Sequence, residues 1–272
     1  PFNAVNAGAN PASLPLLTTF SHIVHYIRLN FKWHFCFSHP YLWMIPMLPE
    51  QPPFFLLESP NWRDYELLDS GDGLKLERFG PYIFSRPESQ AMWTRTLSAR
   101  DWSAAHAVFQ PTAEESGGHW IAQKKLPERW KMMYGDLRFW AMTTPGRHLG
   151  VFPEVAAHWD WMAGLVKKAE RPVSVLNLFG YTGLASLAVA AAGAKVTHID
   201  ASKKSVAWAR ENQELSGLGQ KPIRWIVEDA LKFVEREARR GTKYDGILLD
   251  PPKFGRGPKG EIWEVYKSLP DL

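Results

Sequence analysis

The sequence predicts an α/β chain in which a small antiparallel β unit precedes a parallel sheet. Three observations carry that prediction. Val173-Ser-Val-Leu-Asn-Leu-Phe179 is a nearly unbroken apolar run, as expected of a strand buried on both faces of a parallel sheet. It breaks at Gly180-Tyr-Thr-Gly183 and becomes the alanine-rich Leu184–Ala192, a helix closed by Gly193. Beyond it, strand-like and helix-like segments alternate with short links.

Composition sets outer bounds. A chain of 272 residues can bury a full core and carry one large domain or two smaller ones. The net charge of +4 and a pI near 9.1 are compatible with a polyanionic partner without demonstrating one. A single cysteine, Cys36, excludes an intramolecular disulfide framework and a cysteine-rich zinc site. It points to a reducing compartment, and we expect a cytoplasmic protein without a bound metal. The chain opens at Pro1 and stops at Asp271-Leu272, which reads as a fragment of a longer protein.

Residues 1–55 form the first expected region, a poorly structured extension. Up to residue 49 they hold no Asp or Glu, and their formal cations are Arg28 and Lys32. They contain neither an apolar span of about 18 residues nor a signal-peptide pattern, so no membrane anchor is expected. This reads as sequence upstream of a start near Met44 or Met47.

Residues 56–148 form the second region, a β-rich accessory unit. Tyr65–Leu68, Leu74–Phe79 and Tyr82–Phe84 are short alternating runs separated by Asp69-Ser-Gly-Asp-Gly73 and Gly80-Pro81, the signals of tight hairpins. His119–Gln123 and Leu137–Met142 read as later strands. Between them, Lys124-Lys125-Leu-Pro-Glu-Arg129-Trp130-Lys131 interleaves cations with an aromatic. That pattern suits a nucleic-acid surface, but the favoured reading is a solvated hairpin whose tryptophan packs inward.

Residues 149–272 form the third region. A helix is expected from Ala156 to Met162, then the strand beginning at Val173. Lys195–Asp200, Ile223–Val227 and Tyr244–Asp250 follow as strands, separated by helices over Lys203 to about Ser216 and Ala230 to about Arg240. Ser202 suits an N-cap. Right-handed crossovers place the ends of these strands on one edge of the sheet.

Chemistry gathers at that edge. The glycine turn leaves helix N–H groups and a dipole's positive end facing a cavity, which favours an anionic or carboxylate-bearing ligand. It offers G-x-x-G rather than the G-x-G-x-x-G of dinucleotide folds. Asp200 lies 20 residues beyond Gly180, the distance at which nucleotide folds place a carboxylate on ribose hydroxyls. Asp229 suits either an adenine amine or the cap of the next helix. In Asp250-Pro-Pro-Lys-Phe254 two prolines stiffen the backbone and remove donors, leaving carbonyls for a substrate amine and Phe254 for a base. Gly255 to Gly260 continues as a mobile, cationic loop.

In this order and spacing the motifs resemble the class I S-adenosylmethionine-dependent methyltransferases, and more narrowly the branch holding the bacterial 23S ribosomal RNA methyltransferases I and K. The resemblance runs from about Gly150 to the end of the chain and implies a Rossmann-like catalytic sheet with S-adenosylmethionine as cofactor and RNA as partner. It implies cofactor contacts from Phe152, Asn177, Phe179, Gly180, Thr182, Gly183, Asp200, Ala201, Ser202, Asp229 and Ala230. Asp250, Pro251, Pro252, Lys253 and Phe254 would line the acceptor pocket, with Lys253 a contact rather than a base. Three departures stand out. Asn177 replaces a frequent Asp, no cysteine follows Cys36 to serve as the nucleophile of five-methylcytosine chemistry, and four strands can be placed where the family has seven. The sheet therefore reads as C-terminally truncated. A nicotinamide-dependent oxidoreductase and a catalytically inactive RNA-binding protein are the alternatives.

Overall fold

The computed structural model describes residues 57–60, 62–112 and 117–272. The expected N-terminal extension, with Cys36, lies outside the described residues.

Five strands build the first sheet: β1 (Tyr65–Gly71), β2 (Leu74–Phe79), β3 (Tyr82–Pro87), β4 (Ala107–Pro111) and β5 (Gly118–Ala122), hydrogen-bonded in that order. The Asp72-Gly73 turn between β1 and β2 has positive φ at both residues, +50° and +73°, the geometry that matches hairpin twist. One pairing departs from the antiparallel expectation. β3 and β4 run parallel, because helix α1 (Ala99–Trp102) and its flanking loops carry the chain back across the sheet. A second, two-stranded sheet follows, β6 (Trp130–Tyr134) with β7 (Leu137–Ala141).

The basic segment around Trp130 resolves in favour of inward packing. Trp130 is buried and stacks on Phe84 with centroids 5.4 Å apart and planes at 13°. Arg129 lies over Trp140 at 4.2 Å and pairs with Glu211 at 2.7 Å. The alternation of cations with Trp130 and Met132 is the two-residue period of β6.

Helix α2 (Ala156–Lys168) then leads into the parallel sheet of β8 (Ser174–Leu178), β9 (Lys195–Asp200), β10 (Ile223–Val227) and β11 (Gly246–Leu249). Helices α3 (Leu184–Ala191), α4 (Lys203–Leu215) and α5 (Ala230–Arg239) connect them. The spatial order is β10-β9-β8-β11. The chain therefore reverses its direction of travel across the sheet at β8, and open α/β sheets bind ligands in the crevice at such a reversal. After β11 the chain forms a short hairpin, β12 (Phe254–Arg256) with β13 (Ile262–Glu264), then α6 (Val265–Ser268). The loop expected to be mobile is thus this hairpin's turn, and Glu261 ties it to Lys232 of α5 at 2.5 Å. Among the described residues no helix is long and apolar enough to cross a membrane.

The two sheets of the accessory part and the parallel sheet share one apolar core. Buried Trp62, Phe84 and Phe139 continue through Trp159 into Val175, Leu187 and Leu248. Hydrogen bonds reinforce that contact along the open edge of β7. Helix α4 presents Trp208, Asn212 and Ser216, spaced one turn apart on one face. Trp208 Nε1 donates to the Trp140 carbonyl at 3.2 Å, and the Trp140 N–H donates to Asn212 Oδ1 at 2.9 Å. The Arg138 N–H donates to Ser216 Oγ at 2.9 Å, and that hydroxyl donates to the Arg138 carbonyl at 2.7 Å. The helix thereby does for β7 what a neighbouring strand would do.

Inside the first sheet sits a buried ion pair that the sequence did not announce. Arg86 reaches Glu77 through Nε at 2.5 Å and Nη2 at 2.9 Å, and Tyr65 donates its hydroxyl to the same carboxylate at 2.9 Å. Arg86 also donates to the Arg147 carbonyl at 3.2 Å, linking the sheet to the segment that enters the parallel half. Removing one partner of such a pair leaves an uncompensated buried charge. Arg86→Leu should therefore cost about 3–5 kcal/mol of unfolding free energy, read by urea denaturation at neutral pH. A loss below about 1 kcal/mol would show that water reaches Glu77.

Candidate functional site at the carboxyl rim of the parallel sheet

β8 is buried along nearly its whole length, and the chain turns sharply where it ends. Phe179 and Tyr181 hold φ of +57° and +51°, a left-handed conformation that side chains adopt only when their surroundings enforce it. The enforcement is visible. The Gly180 N–H donates to the Ile199 carbonyl at 2.9 Å, and the Tyr181 N–H to Asp200 Oδ2 at 2.8 Å. Thr182 Oγ1 donates to the Gly150 carbonyl at 2.7 Å, while Asn212 Nδ2 donates to the Thr182 carbonyl at 3.0 Å. Gly183, at φ +84°, opens α3 without a side-chain cap. The first-turn amides of that helix and its positive dipole end thus face the crevice.

The two glycines answer to packing as well as to any ligand. A Cβ on Gly180 would lie 2.3 Å from the His198 ring, and one on Gly183 would lie 2.8 Å from Ala209 and 3.0 Å from Trp225. Gly150 is equally constrained, since its Cβ would strike the Trp208 indole at 2.3 Å. His198 escaped sequence reading. It is fully buried, edge-on to Trp225 at 4.6 Å, with Nδ1 3.0 Å from Ser186 Oγ. Burial holds its pKa down to about 3, so the ring is neutral.

Asn177 belongs to this same buried chain. Its amide donates to Ser186 Oγ at 2.8 Å, within the β8–α3 interface. In the structure this residue, expected to contact a cofactor, forms a polar link between strand and helix.

Asp200 ends β9, and both its oxygens already accept backbone amides, Oδ2 from Tyr181 and Oδ1 from Ser202 at 2.8 Å. Each carboxylate oxygen keeps a second lone-pair site for a ligand hydroxyl. Desolvation raises its pKa against the pull of those two amides. Ser202 caps α4 by accepting from the Ser205 N–H at 3.2 Å, and Ala201 lies between the two. Asp229 caps α5, accepting from the Lys232 N–H at 3.1 Å, and Ala230 is buried behind it. A wall of rings flanks the turn: Phe152 lies 4.5 Å from His148 and 5.5 Å from Tyr181.

The segment expected to line an acceptor pocket is β11 and its continuation. β11 pairs with β8, which sets Asp250 beside Phe179. Burial pushes the Asp250 carboxyl up to about 6, with the Glu154 carboxylate as the second cause. Of the carbonyls expected to face a substrate, that of Pro252 is engaged within the chain. The Pro252 carbonyl accepts from Trp263 Nε1 at 2.8 Å, and the Lys253 carbonyl from the Val265 N–H at 3.0 Å. The prolines remove two donors, and Trp263 of β13 and Val265 at the start of α6 then claim two of the segment's acceptors. Trp263 also packs on Phe179 at 4.6 Å, so one buried indole touches both the acceptor segment and the end of β8. Phe254 remains 58% exposed, with Lys253 Nζ 5.6 Å from its ring centre. It lines a shallow cavity of about 280 Å³ with Arg256, Ile262 and Trp263. Among the described residues no cluster of three or more His, Cys, Asp or Glu could hold a metal.

Comparison with known proteins agrees with this geometry. A family model described as S-adenosylmethionine-dependent methyltransferase matches residues 85–269, more than half of the chain. The crystal structure of a SAM-dependent methyltransferase from Agrobacterium tumefaciens superposes with a TM-score of 0.75 at 51% identity, covering 82% of this chain and 71% of its own. SMU.776, solved with SAH bound, has a TM-score of 0.58 at 20% identity over 75% of this chain and 55% of its own, a likeness of fold alone. The ribosomal RNA large subunit methyltransferase K/L of Shewanella frigidimarina is 39% identical over 110 residues. That stretch is 40% of this chain and spans 15% of the relative's length. The family match displaces the nicotinamide alternative, which the turn's missing first glycine had already weakened.

Asp250 supplies a test of the rim's electrostatics. Its folded pKa lies above the ordinary carboxylate value, so ionisation favours the unfolded chain, and the cost builds from about pH 4 and is fully present above about pH 6. Asp250→Asn should therefore melt higher than the parent at pH 7.5, by an amount equivalent to roughly 2 kcal/mol. The gap should close below about pH 4, where both forms are neutral. Parallel melting curves from pH 4 to 8 would contradict the burial of this carboxyl.

Proposed function

The chain belongs to the S-adenosylmethionine-dependent methyltransferase family, and from that premise we propose that it transfers a methyl group to a base in RNA. One observation carries the reading. The uncapped start of α3, the Asp200 carboxylate and the Asp250–Phe254 segment converge on the carboxyl ends of neighbouring strands at the reversal point of the sheet. This is the donor set the cofactor's chemistry asks for. Amides and a helix dipole suit its carboxylate, lone pairs on Asp200 suit its ribose hydroxyls, and the ring wall of Phe152 and Tyr181 suits its apolar body. Asp229 and Ala230 take the adenine edge, and Phe179, Gly180, Thr182, Gly183, Ala201 and Ser202 supply backbone around it. Asn177 supports this shell from beneath.

Bound there, the cofactor supplies an electrophilic methyl on a sulfonium sulfur. The protein's own task is then to orient and desolvate the acceptor, because the leaving group needs no activation. Phe254 stacks the acceptor base and keeps it at the rim. Asp250, ionised above about pH 6, accepts a hydrogen bond from an acceptor N–H and receives its proton as the new bond forms. Lys253, Arg256 and Lys259 lie along the hairpin where phosphates would pass. A ribosomal target is supported by the ribosomal RNA methyltransferase of Shewanella frigidimarina, and a cytoplasmic location accords with it.

Two measurements test the reading. In calorimetry with SAH, Asp200→Asn should weaken binding roughly 10- to 100-fold, the worth of hydrogen bonds to a charged group. Unchanged affinity would remove Asp200 from the donor site. With tritiated SAM and ribosomal RNA transcribed in vitro, Phe254→Ala should raise the KM for RNA about tenfold or more while SAH affinity stays the same. SAH binding by the parent chain without label transfer to any RNA would instead favour a catalytically inactive RNA-binding protein.

A further inference from the structure

Asn212 is completely buried on α4, 30 residues beyond the turn it touches, and its amide is used at both ends. Oδ1 accepts from the Trp140 N–H of β7 at 2.9 Å, and Nδ2 donates to the Thr182 carbonyl at 3.0 Å. The orientation of the amide is fixed by its partners. A backbone N–H can only donate and a carbonyl can only accept, so a flipped amide would lose both bonds. One side chain therefore joins the accessory hairpin to the turn that carries the candidate donor site.

Its neighbours do not share that property. Trp208 and Ser216, one turn away on either side, complete the edge of β7, but neither hydrogen-bonds to the turn from Gly180 to Gly183. The turn itself depends on outside support, since the residues on either side of Gly180 both lie in left-handed backbone. The β9 side provides that support through Ile199 and Asp200, and the segment entering the parallel half provides it through Gly150. From the β6–β7 side, Asn212 carries the hydrogen bond to the turn.

We propose that Asn212 is a positioning residue that couples docking of the β6–β7 hairpin to the shape of the donor turn, so that hairpin docking and donor binding strengthen one another. The inference rests on the donor site proposed above. Coupling of this kind is reciprocal: a ligand that prefers the shaped turn must also stabilise the docked hairpin. Loss of the bridge should then weaken donor binding without removing any group that touches the donor.

The test pairs two variants with one measurement on the parent chain. Asn212→Asp keeps the acceptor for Trp140 but replaces the donor with a carboxylate oxygen facing the Thr182 carbonyl. It should weaken SAH binding at least tenfold in calorimetry. Ser216→Ala removes two hydrogen bonds to β7 one turn away but keeps the Asn212 bridge and the packed core that hold the hairpin docked, so it should leave SAH affinity within about twofold. Hydrogen exchange on the parent chain should show residues 137–141 slowed several-fold by saturating SAH, with residues 65–79 of the first hairpin unchanged. Wild-type affinity in Asn212→Asp, or equal weakening in Ser216→Ala, overturns Asn212 as the residue that carries the coupling. If Asn212→Asp does not fold, unchanged exchange at 137–141 overturns the coupling and slowed exchange supports it. A parent chain that binds no SAH sinks the donor-site reading and this inference with it.

Discussion

A strand edge that ends inside a packed core must find partners for its N–H and C=O groups, because an unpaired backbone group cut off from water costs as much as a lost hydrogen bond. β7 meets that requirement in an unusual way. Its inner edge pairs with β6, and its outer edge is closed by three side chains of α4. The geometry permits this because alternate residues on a strand are about 6.6 Å apart and residues one helical turn apart about 6 Å. The arrangement fixes the β6–β7 hairpin against the parallel half. It also places α4 so that Trp208 covers Gly150 and Ala209 and Asn212 sit beneath the turn. The accessory region is thus part of the foundation of the rim.

Beneath the rim the same economy recurs in polar form. Asn177, Ser186 and His198 form a buried chain that ties β8, α3 and β9 together under Gly180. A neutral imidazole suits this place. Its flat ring fills the volume that a Cβ on Gly180 would claim, and a charged ring there would have no counter-ion in contact. Nε2 has no hydrogen-bond partner among the described residues, so the ring's value lies in its shape and its single bond to Ser186. The glycines of the turn are consequently over-determined. Ligand approach is one reason for them, and the packing of histidine, alanine and tryptophan is another.

Most of the architecture was legible because buried parallel strands write themselves as apolar runs and their helices carry capping signals. Ser202 and Asp229 both cap as their types suggest, and β8 through β11 fall within a residue or two of the sequence reading. What the sequence left open shares a cause. Around Trp130 inward packing was the favoured reading but could not be settled, because alternation is identical for a half-buried strand and for a basic patch with an exposed aromatic. Only the partners, Phe84 below and Trp140 alongside, distinguish them. Glycine content likewise made residues 255–260 look mobile, whereas pairing of Phe254 with Glu264 is a long-range fact no local signal encodes. The buried Arg86–Glu77 pair was invisible for the same reason: each residue alone reads as a solvated charge on a strand.

The engagement of the Pro252 carbonyl changes how the rim is understood. A loop with free carbonyls would select its acceptor by hydrogen bonding and would tolerate some motion. Here Trp263 occupies one of those carbonyls and rests its ring on Phe179, the left-handed residue that begins the turn. The Asp250–Phe254 segment and the turn after β8 are thereby braced against the same indole, while Asn212 braces the turn from the opposite flank. Methyl transfer from an activated donor gains most from holding the two reacting atoms in line, and a misplacement of about 1 Å is enough to lose orders of magnitude in rate. A fold that fixes both sides of the gap through buried contacts needs few groups at the reacting atoms themselves. That fits a rim where burial raises the Asp250 carboxyl and Phe254 stands exposed beside it.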